Sequence, residues 1–238
     1  MSLVDLWVYL SGGPLLWLTT TLVAYVAADA IFVAAGRRPI ANPVLIAVLF
    51  VAVVLVVTGT PFPAYFAGAQ FVHFLLGPAT VALAVPLVRY LPQVRRLLVP
   101  MVVALVVGSV TAIVSAVLLA RLFGLDASTA RAMAPKSATT PIAMGTAEAI
   151  GADPALAAVM VIITGIVGAI VVTPLMNALG LKNYAARGFA AGLASHGIGT
   201  ARAFQVDPLA GTFAGIALGL NGLLTAILVP ILLPFLLK

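Results

Sequence analysis

The chain has no cysteine. Disulfides, thiolate metal sites and cysteine nucleophiles are therefore excluded. Charge is scarce as well: Asp, Glu, Lys and Arg make up 8% of the residues, where an ordinary soluble domain carries about 25%. Six acids and two histidines leave few groups for acid–base chemistry or metal ligation. Their spacing fits no metal site, and no Walker sequence is present. Ser195 and His196 are adjacent, and on a helix they point about 100° apart, unlike members of a nucleophilic triad. The glycines at 197 and 199 do not follow a strand, so they are no dinucleotide fingerprint. These absences argue against an enzyme, a resident metal or a cofactor, and against ATP-driven transport by this chain alone.

What the chain has instead is oil. Hydrophobic residues make up 63%, and the mean hydropathy is +1.24. The composition predicts an all-α integral membrane protein, with 1–238 as one transmembrane domain. The length has room for about seven or eight spans of roughly 20 residues. The formal charge of +6 belongs mainly to short loops between apolar runs, where it orients a membrane protein rather than binding nucleic acid. The N-terminus lacks the basic region of a signal peptide, so the first apolar segment is expected to stay as a span.

Spans are expected over about 14–35, 43–58, 65–88, 99–120, 154–179, 188–204 and 208–237, with 1–10 along the interface, where Trp7 and Tyr9 sit at headgroup depth. The loops holding Arg37, Arg38, Arg89, Arg95 and Arg96 are then cytoplasmic and the N-terminus outside. Lys182 and Arg187 join them only if 128–150 does not complete a crossing. The charge rule thus favours seven crossings with a re-entrant segment there; eight crossings with a broken helix is the alternative.

Two interruptions carry the polar groups. Pro135-Lys136-Ser137-Ala138-Thr139-Thr140-Pro141 sets a cation and three hydroxyls between two prolines, which break helical hydrogen bonding. In lipid, freed backbone groups are tolerated only against protein or a water-filled cavity, so the segment is a candidate solute site. Gly77-Pro78 predicts a second break. The run Pro78 to Ala84 echoes Ser137 to Ala143 in placing Ala-Thr, two residues, an aliphatic and Ala, a candidate internal repeat. A further cluster spans Leu193 to Arg202. On a helix, Gly188, Gly192, His196 and Thr200 share one face, with Gly197 and Gly199 weakening the helix. Gly211, Gly215 and Gly219 form a helix-packing face.

The substrate-binding candidates are Lys136, Ser137, Thr139, Thr140, Ser195, His196, Thr200, Arg202 and Asn221. Arg202 can grip both oxygens of a carboxylate, and Lys136 can attract one as a point charge. The helix-break residues are Gly77, Pro78, Pro135, Pro141, Gly197 and Gly199, and the proton-coupling candidates are His196, Glu148 and Asp29.

Leu76 to Leu87, Pro135 to Met144 and Ala194 to Arg202 resemble the LrgB/CidB family, and the resemblance extends over about 14–237. It implies one of two roles. Bacterial members are described as antiholin-like or holin-like, paired with a small LrgA/CidA-type membrane partner and linked to murein hydrolase control and lysis. A plant relative translocates glycolate and glycerate across the plastid envelope, and some bacterial members are linked to pyruvate uptake. A distant likeness to cation–proton antiporter and bile-acid symporter folds implies inverted repeats with crossed broken helices, against the re-entrant topology. No LrgA-like half is present in this chain. The expectation is a proton-coupled secondary carrier of small carboxylates in the bacterial cytoplasmic membrane, forming a homodimer; the alternative is a regulator of a holin-like partner.

Overall fold

A computed structural model describes residues 13–75, 78, 81–82 and 84–237, all of them helical or in short connections. The interfacial segment expected at 1–10 and the Gly77 at the expected break lie outside the described residues. The chain divides into two compact units, Met1–Ala82 and Leu83–Lys238.

In the first unit, α1 (Pro14–Ala34), α2 (Pro43–Thr58) and α3 (Phe62–Phe74) are joined by short turns. Asn42 caps α2 by accepting from the N–H groups of Val44 and Leu45, and Gly59 ends it in the left-handed conformation (φ 64°). α3 runs antiparallel to α1. The Tyr65 hydroxyl lies 3.1 Å from that of Thr21, and Gly68 lies against the carbonyl of Pro14. The buried Trp17 ring meets Tyr65 edge-on at 6.0 Å.

The second unit comprises α4 (Ala84–Arg89), α5 (Leu91–Arg96), α6 (Leu98–Leu122), α7 (Ala127–Met133), α8 (Thr140–Ala149), α9 (Pro154–Ala178), α10 (Tyr184–Val206) and α11 (Pro208–Leu236). Three long helices make its frame. α6 and α11 run parallel: Met101 and Leu105 pack with Phe213 and Ala217 near their starts, and Ile113 and Val117 with Val229 and Leu233 near their ends. α9 runs the other way. Arg95, Arg96, Lys182 and Arg187 cluster at the end where α6 and α11 begin, the basic end. The interior is lined by alanine, with Ala157, Ala169, Ala214 and Ala217 fully buried, while Val102, Val103, Val106 and Val107 point outward. That inversion suits lipid, where close approach of small residues holds helices together and outward aliphatics cost nothing.

Two segments enter this frame and turn back. α7 starts beside the far end of α11, where Arg131 borders Pro230, Pro234 and Leu237. The chain turns at 134–139, because Pro135 cannot continue the helix and Pro141 fits the first turn of the next. α8 then returns to the same end, where Ile150 packs on the cluster of Ala134, Val229 and Leu233. α10 is the second such segment. Its backbone leaves the helical region at Ser195 (φ −132°, ψ 17°) and His196 (φ 41°, ψ −133°). Ala191 and Ala203 then share one cluster on Ala210 and Ala214, although a continuous helix would set residues that far apart in sequence about 18 Å from each other. Gly199 sits so close to Ala191 that a Cβ there would lie 2.7 Å from its carbonyl oxygen.

Four described helices, α1, α6, α9 and α11, are long and apolar enough to cross a membrane, and α2 is a shorter apolar helix; this is a membrane protein. Among the described residues these four do not by themselves make up the expected seven or eight spans: 188–204 folds back on itself, and 65–88 includes residues outside the description. The expected continuous face of Gly188, Gly192, His196 and Thr200 is also corrected. Gly188 and Gly192 lie against the carbonyls of Ala210 and Ala214, whereas His196 and Thr200 stand beyond the turn.

The internal echo expected between Pro78–Ala84 and Ser137–Ala143 rests partly on residues outside the description. A longer one aligns the two folded-back segments. Gly145-Thr146-Ala147-Glu148-Ala149-Ile150 matches Gly199-Thr200-Ala201-Arg202-Ala203-Phe204, and the match continues without a gap through Asp153-Pro154 with Asp207-Pro208, Gly165 with Gly219 and Gly168 with Gly222. Upstream, Ala130-Arg131, Ala134, Ala138 and Ile142 match Ala186-Arg187, Ala190, Ala194 and Ile198. Each copy is a helical hairpin followed by a long helix, and the two copies point in opposite directions.

Candidate functional site

The two hairpin tips meet on one amide. Asn221, fully buried near the middle of α11, donates through Nδ2 to the carbonyl of Ser137 at 3.0 Å and to that of Leu193 at 3.1 Å. Its Oδ1 accepts from Ser109 at 2.6 Å and from Thr225 at 3.4 Å. An amide has two donors and one acceptor oxygen with two lone pairs, so this one is fully engaged. The helix breaks that free these carbonyls are thereby satisfied by side chain. Among the described residues every buried side-chain nitrogen or oxygen has a partner.

The tips meet a second time on α9. His196 Nε2 lies 2.8 Å from the carbonyl oxygen of Val161, and Ala138 and Ala143 of the first hairpin pack on the Val161 side chain. A carbonyl oxygen can only accept, so Nε2 carries the proton and Nδ1 is left for exchange. α9 admits the second tip through glycines: Gly165 lies against the His196 ring and Gly168 against the Ser195 hydroxyl. A non-glycine residue at φ 41° is strained by roughly 1–3 kcal/mol, and these contacts hold His196 there.

Around this junction stand most of the expected site residues. Lys136 is half-buried, with Nζ 3.3 Å from Ser137 Oγ, and lies within electrostatic reach of His196. Thr139 precedes α8 but its side chain makes no cap hydrogen bond, and Thr140 begins the helix. The tip therefore presents first-turn N–H groups and two half-buried hydroxyls beside the lysine. Thr200 Oγ1 bonds the carbonyl of His196 at 2.8 Å and tightens the second tip. Pro135 and Pro141 flank the first tip. At the second tip the reversal falls on Ser195 and His196, one residue before Gly197. Gly197 faces open space, and Gly199 serves the close approach of the two legs.

Other expected residues are elsewhere. Arg202 lies near the basic end, with Nε 3.3 Å from Thr173 Oγ1; Thr173 and Val161 are about 18 Å apart along α9. Glu148 is exposed near the outer end of α8, and Asp29 is exposed on α1 in the first unit. Of the two proton-coupling candidates in the second unit, only His196 stands at the tips. Gly211 packs on the Phe204 ring and Gly219 faces open space.

Sequence reasoning missed Ser109, Thr225, the Val161 carbonyl and the glycine pair on α9. The repeat signals part of this. Gly168 seats the second hairpin on α9, and its counterpart Gly222 lies against Ile142 of the first hairpin on α11.

Cavities open at both ends of the second unit. One of about 540 Å³ lies between α6 and α10 and reaches Gly108, Leu193 and Ala194. The other, about 470 Å³, opens at the far end between Arg131, Ala149 and the last turns of α11. Outside the apolar segments, the carboxylate of Asp126 caps α7. The N–H and hydroxyl of Thr129 hold it below the usual carboxylate range.

Residues 21–235 match the model of the LrgB-like family. An uncharacterized protein of Bacillus subtilis (strain 168), YwbG, is 32% identical over 86% of this chain and 91% of its own length. An uncharacterized protein of Haemophilus influenzae is 35% identical over 80% of this chain and 83% of its own. The antiholin-like protein LrgB of Bacillus mycoides is 28% identical over 90% of this chain and 93% of its own. No solved structure matches the chain.

Proposed function

The chain belongs to the LrgB-like family, and from that premise we propose that it is a proton-coupled secondary carrier of small carboxylates of glycolate, glycerate or pyruvate size. In this reading the protein is multi-pass in the bacterial cytoplasmic membrane. α6, α9 and α11 cross, and the two hairpins are re-entrant from opposite faces. The basic end then faces the cytoplasm by the charge rule, and the re-entrant 128–150 is the geometry that rule favours.

The observation that carries the reading is the Asn221 amide holding Ser137 and Leu193 together. Interrupted segments from inverted repeats that meet inside the protein are how secondary carriers build a solute site. Lys136, the hydroxyls of Thr139 and Thr140 and the N–H groups opening α8 supply an anion site, and a helix N-terminus adds about 0.3–1 kcal/mol. Protonation at His196 Nδ1 places a second cation beside Lys136, so proton and carboxylate are taken up together. Ser137 and Ser195 line the tips, while Asn221 and Thr200 act by shaping them.

Proteoliposomes containing the purified chain test this. Saturable uptake of radiolabelled glycolate, glycerate or pyruvate, accelerated by an inward proton gradient, is expected. Correctly inserted His196→Ala and Thr140→Val proteins should not transport. Wild-type rates in both would remove these residues from the site.

The antiholin-like name of the Bacillus mycoides relative supports a second reading with equal weight: a membrane regulator acting on an LrgA/CidA-type partner without moving solute. Co-purification with such a partner, together with no stabilisation by any carboxylate, would favour it. The homodimer expected from the family-like architecture is tested by the mass of the purified protein in detergent.

A further inference from the structure

The mouth of the first hairpin holds a cation that the fold does not use. Arg131, in the last turn of α7, is half-buried on the wall of the far-end cavity of about 470 Å³. Small-molecule sites occupy about 300–1,000 Å³. The rest of the wall is apolar: Ala149 and Ile150 close α8, and Pro230, Leu233, Pro234 and Leu237 belong to the end of α11. Among the described residues the Arg131 guanidinium has no hydrogen bond and no ion pair. The acids of that end are engaged elsewhere or stand apart. Asp126 caps α7 through Thr129, and Asp153 caps α9 through Ala155 and Leu156. Glu148 is exposed and forms no ion pair among the described residues. The end of α11 already has its own cation, since Arg121 donates to the carbonyl of Leu236.

Two ordinary reasons for an arginine fail at this position. The charge rule gathers cations at the opposite, basic end. The repeat removes a shared folding role. Arg187 holds the matching place in the second hairpin, where it donates to Asn177 at 2.8 Å and to the carbonyl of Leu181 at 3.3 Å, and lies 5.7 Å from the Tyr184 ring centre. Arg187 fastens its hairpin to the end of α9; Arg131 fastens nothing.

We infer that the far-end cavity is a monocarboxylate site separate from the tips, in which Arg131 grips the carboxylate and the prolines and leucines of α11 cover the rest of the acid. A charge kept at the edge of an apolar wall marks a place for its opposite. A planar guanidinium suits a carboxylate because it donates two parallel N–H bonds. One cation matches one negative charge, and apolar walls match a body that carries no other. Lys136 lies five residues further along the same leg, so an acid held at Arg131 has a second cation ahead of it toward the tip. In the carrier reading above this is the entry site on the face opposite the cytoplasm. That role rests on the reading; the binding does not.

The test is phenylglyoxal modification of the full wild-type chain in detergent, mapped by peptide mass spectrometry. Saturating pyruvate is expected to slow modification of Arg131 about fivefold and to leave the exposed Arg95 within about twofold, whereas chloride at the same concentration protects neither. Equal reactivity of Arg131 with and without pyruvate overturns the inference. Protection by phosphatidylglycerol and not by pyruvate assigns the guanidinium to a lipid headgroup and also overturns it. So does a rise in Arg131 reactivity in E148Q with no effect of pyruvate, which makes the arginine the partner of Glu148. In proteoliposomes, R131Q should raise the KM for pyruvate about tenfold and leave the saturating rate within about twofold, with part of the loss recovered in R131K. An equal fall at low and saturating substrate, unrelieved by lysine, marks a structural role and counts against the inference. If pyruvate protects Arg131 but the wild type carries no solute, the site stands and the carrier reading fails.

Discussion

The two hairpins do the same thing by different means. The first turns because its sequence forbids a helix: Pro135 ends one leg and Pro141 opens the other, with ordinary backbone angles at Thr139 (φ −71°, ψ 154°). The second turns where no residue forbids helix. Ser195 and His196 are forced out of it by what surrounds them: the Val161 carbonyl, the glycines of α9 and the contact of Gly199 with Ala191. One break is local and the other is tertiary. A local break survives disturbance of its neighbours, and a tertiary one is lost with them.

Removing what the hairpins share should have the largest effect. Asn221→Leu leaves the Ser137 and Leu193 carbonyls without their donor, and about 1–3 kcal/mol is expected for each buried group left unsatisfied. Unfolding in mixed detergent micelles should show a loss near the sum, with both tips gaining hydrogen exchange. Unchanged stability would mean that the tips are not held through this residue. Gly199→Ala comes next, at about 1–3 kcal/mol for overpacking. Exchange should rise at 191–203 and stay as in the wild type at 133–143; equal rises would erase the distinction between the hairpins. Pro135→Ala should cost about 1–2 kcal/mol through the lost burial of its ring methylenes, while Pro141 and the hydrogen bonds of Asn221 keep the turn. Its exchange pattern should match the wild type outside 133–138.

The smallest effect is one of pH. The folded pKa of Asp126 is depressed by Thr129. Its capping contribution is therefore full above the unfolded carboxylate range and lost as pH falls through the folded value. Exchange at the Thr129 amide should quicken in acid, and Asp126→Asn, which keeps a capping oxygen, should flatten that dependence. Nothing comparable is expected at the start of α10, where the cap is already the amide of Asn183.

The same contrast explains what was legible in the sequence. The proline-bounded segment could be read because φ restriction is a property of the residue itself. The helices of 14–34, 43–58, 98–122, 154–178 and 208–236 could be read from apolar length, since composition decides burial in lipid. The reversal at His196 could not, because a helical pattern continues through it; the surrounding glycines pointed to weakness without locating it. Arg202 stays within about 9 Å of His196 along the outbound leg, but the reversal before it aims that leg toward the basic end, where the guanidinium meets Thr173. The repeat that pairs Gly168 with Gly222 is present in the letters, but its two halves hold different registers on either side of the tips, so it stands out only when the hairpins are superimposed on the sequence.

The shared amide also bears on leakiness. If either tip swings away, one hydrogen bond to Asn221 is given up while the other tip stays fastened. If both swing at once, both bonds go and the amide is stranded. At about 1 kcal/mol per bond, simultaneous opening is rarer than single opening by at least a factor of about five. A pore open to both compartments would dissipate the gradient that the proposed carrier spends, and the fork of a single asparagine makes that state the least populated of the three.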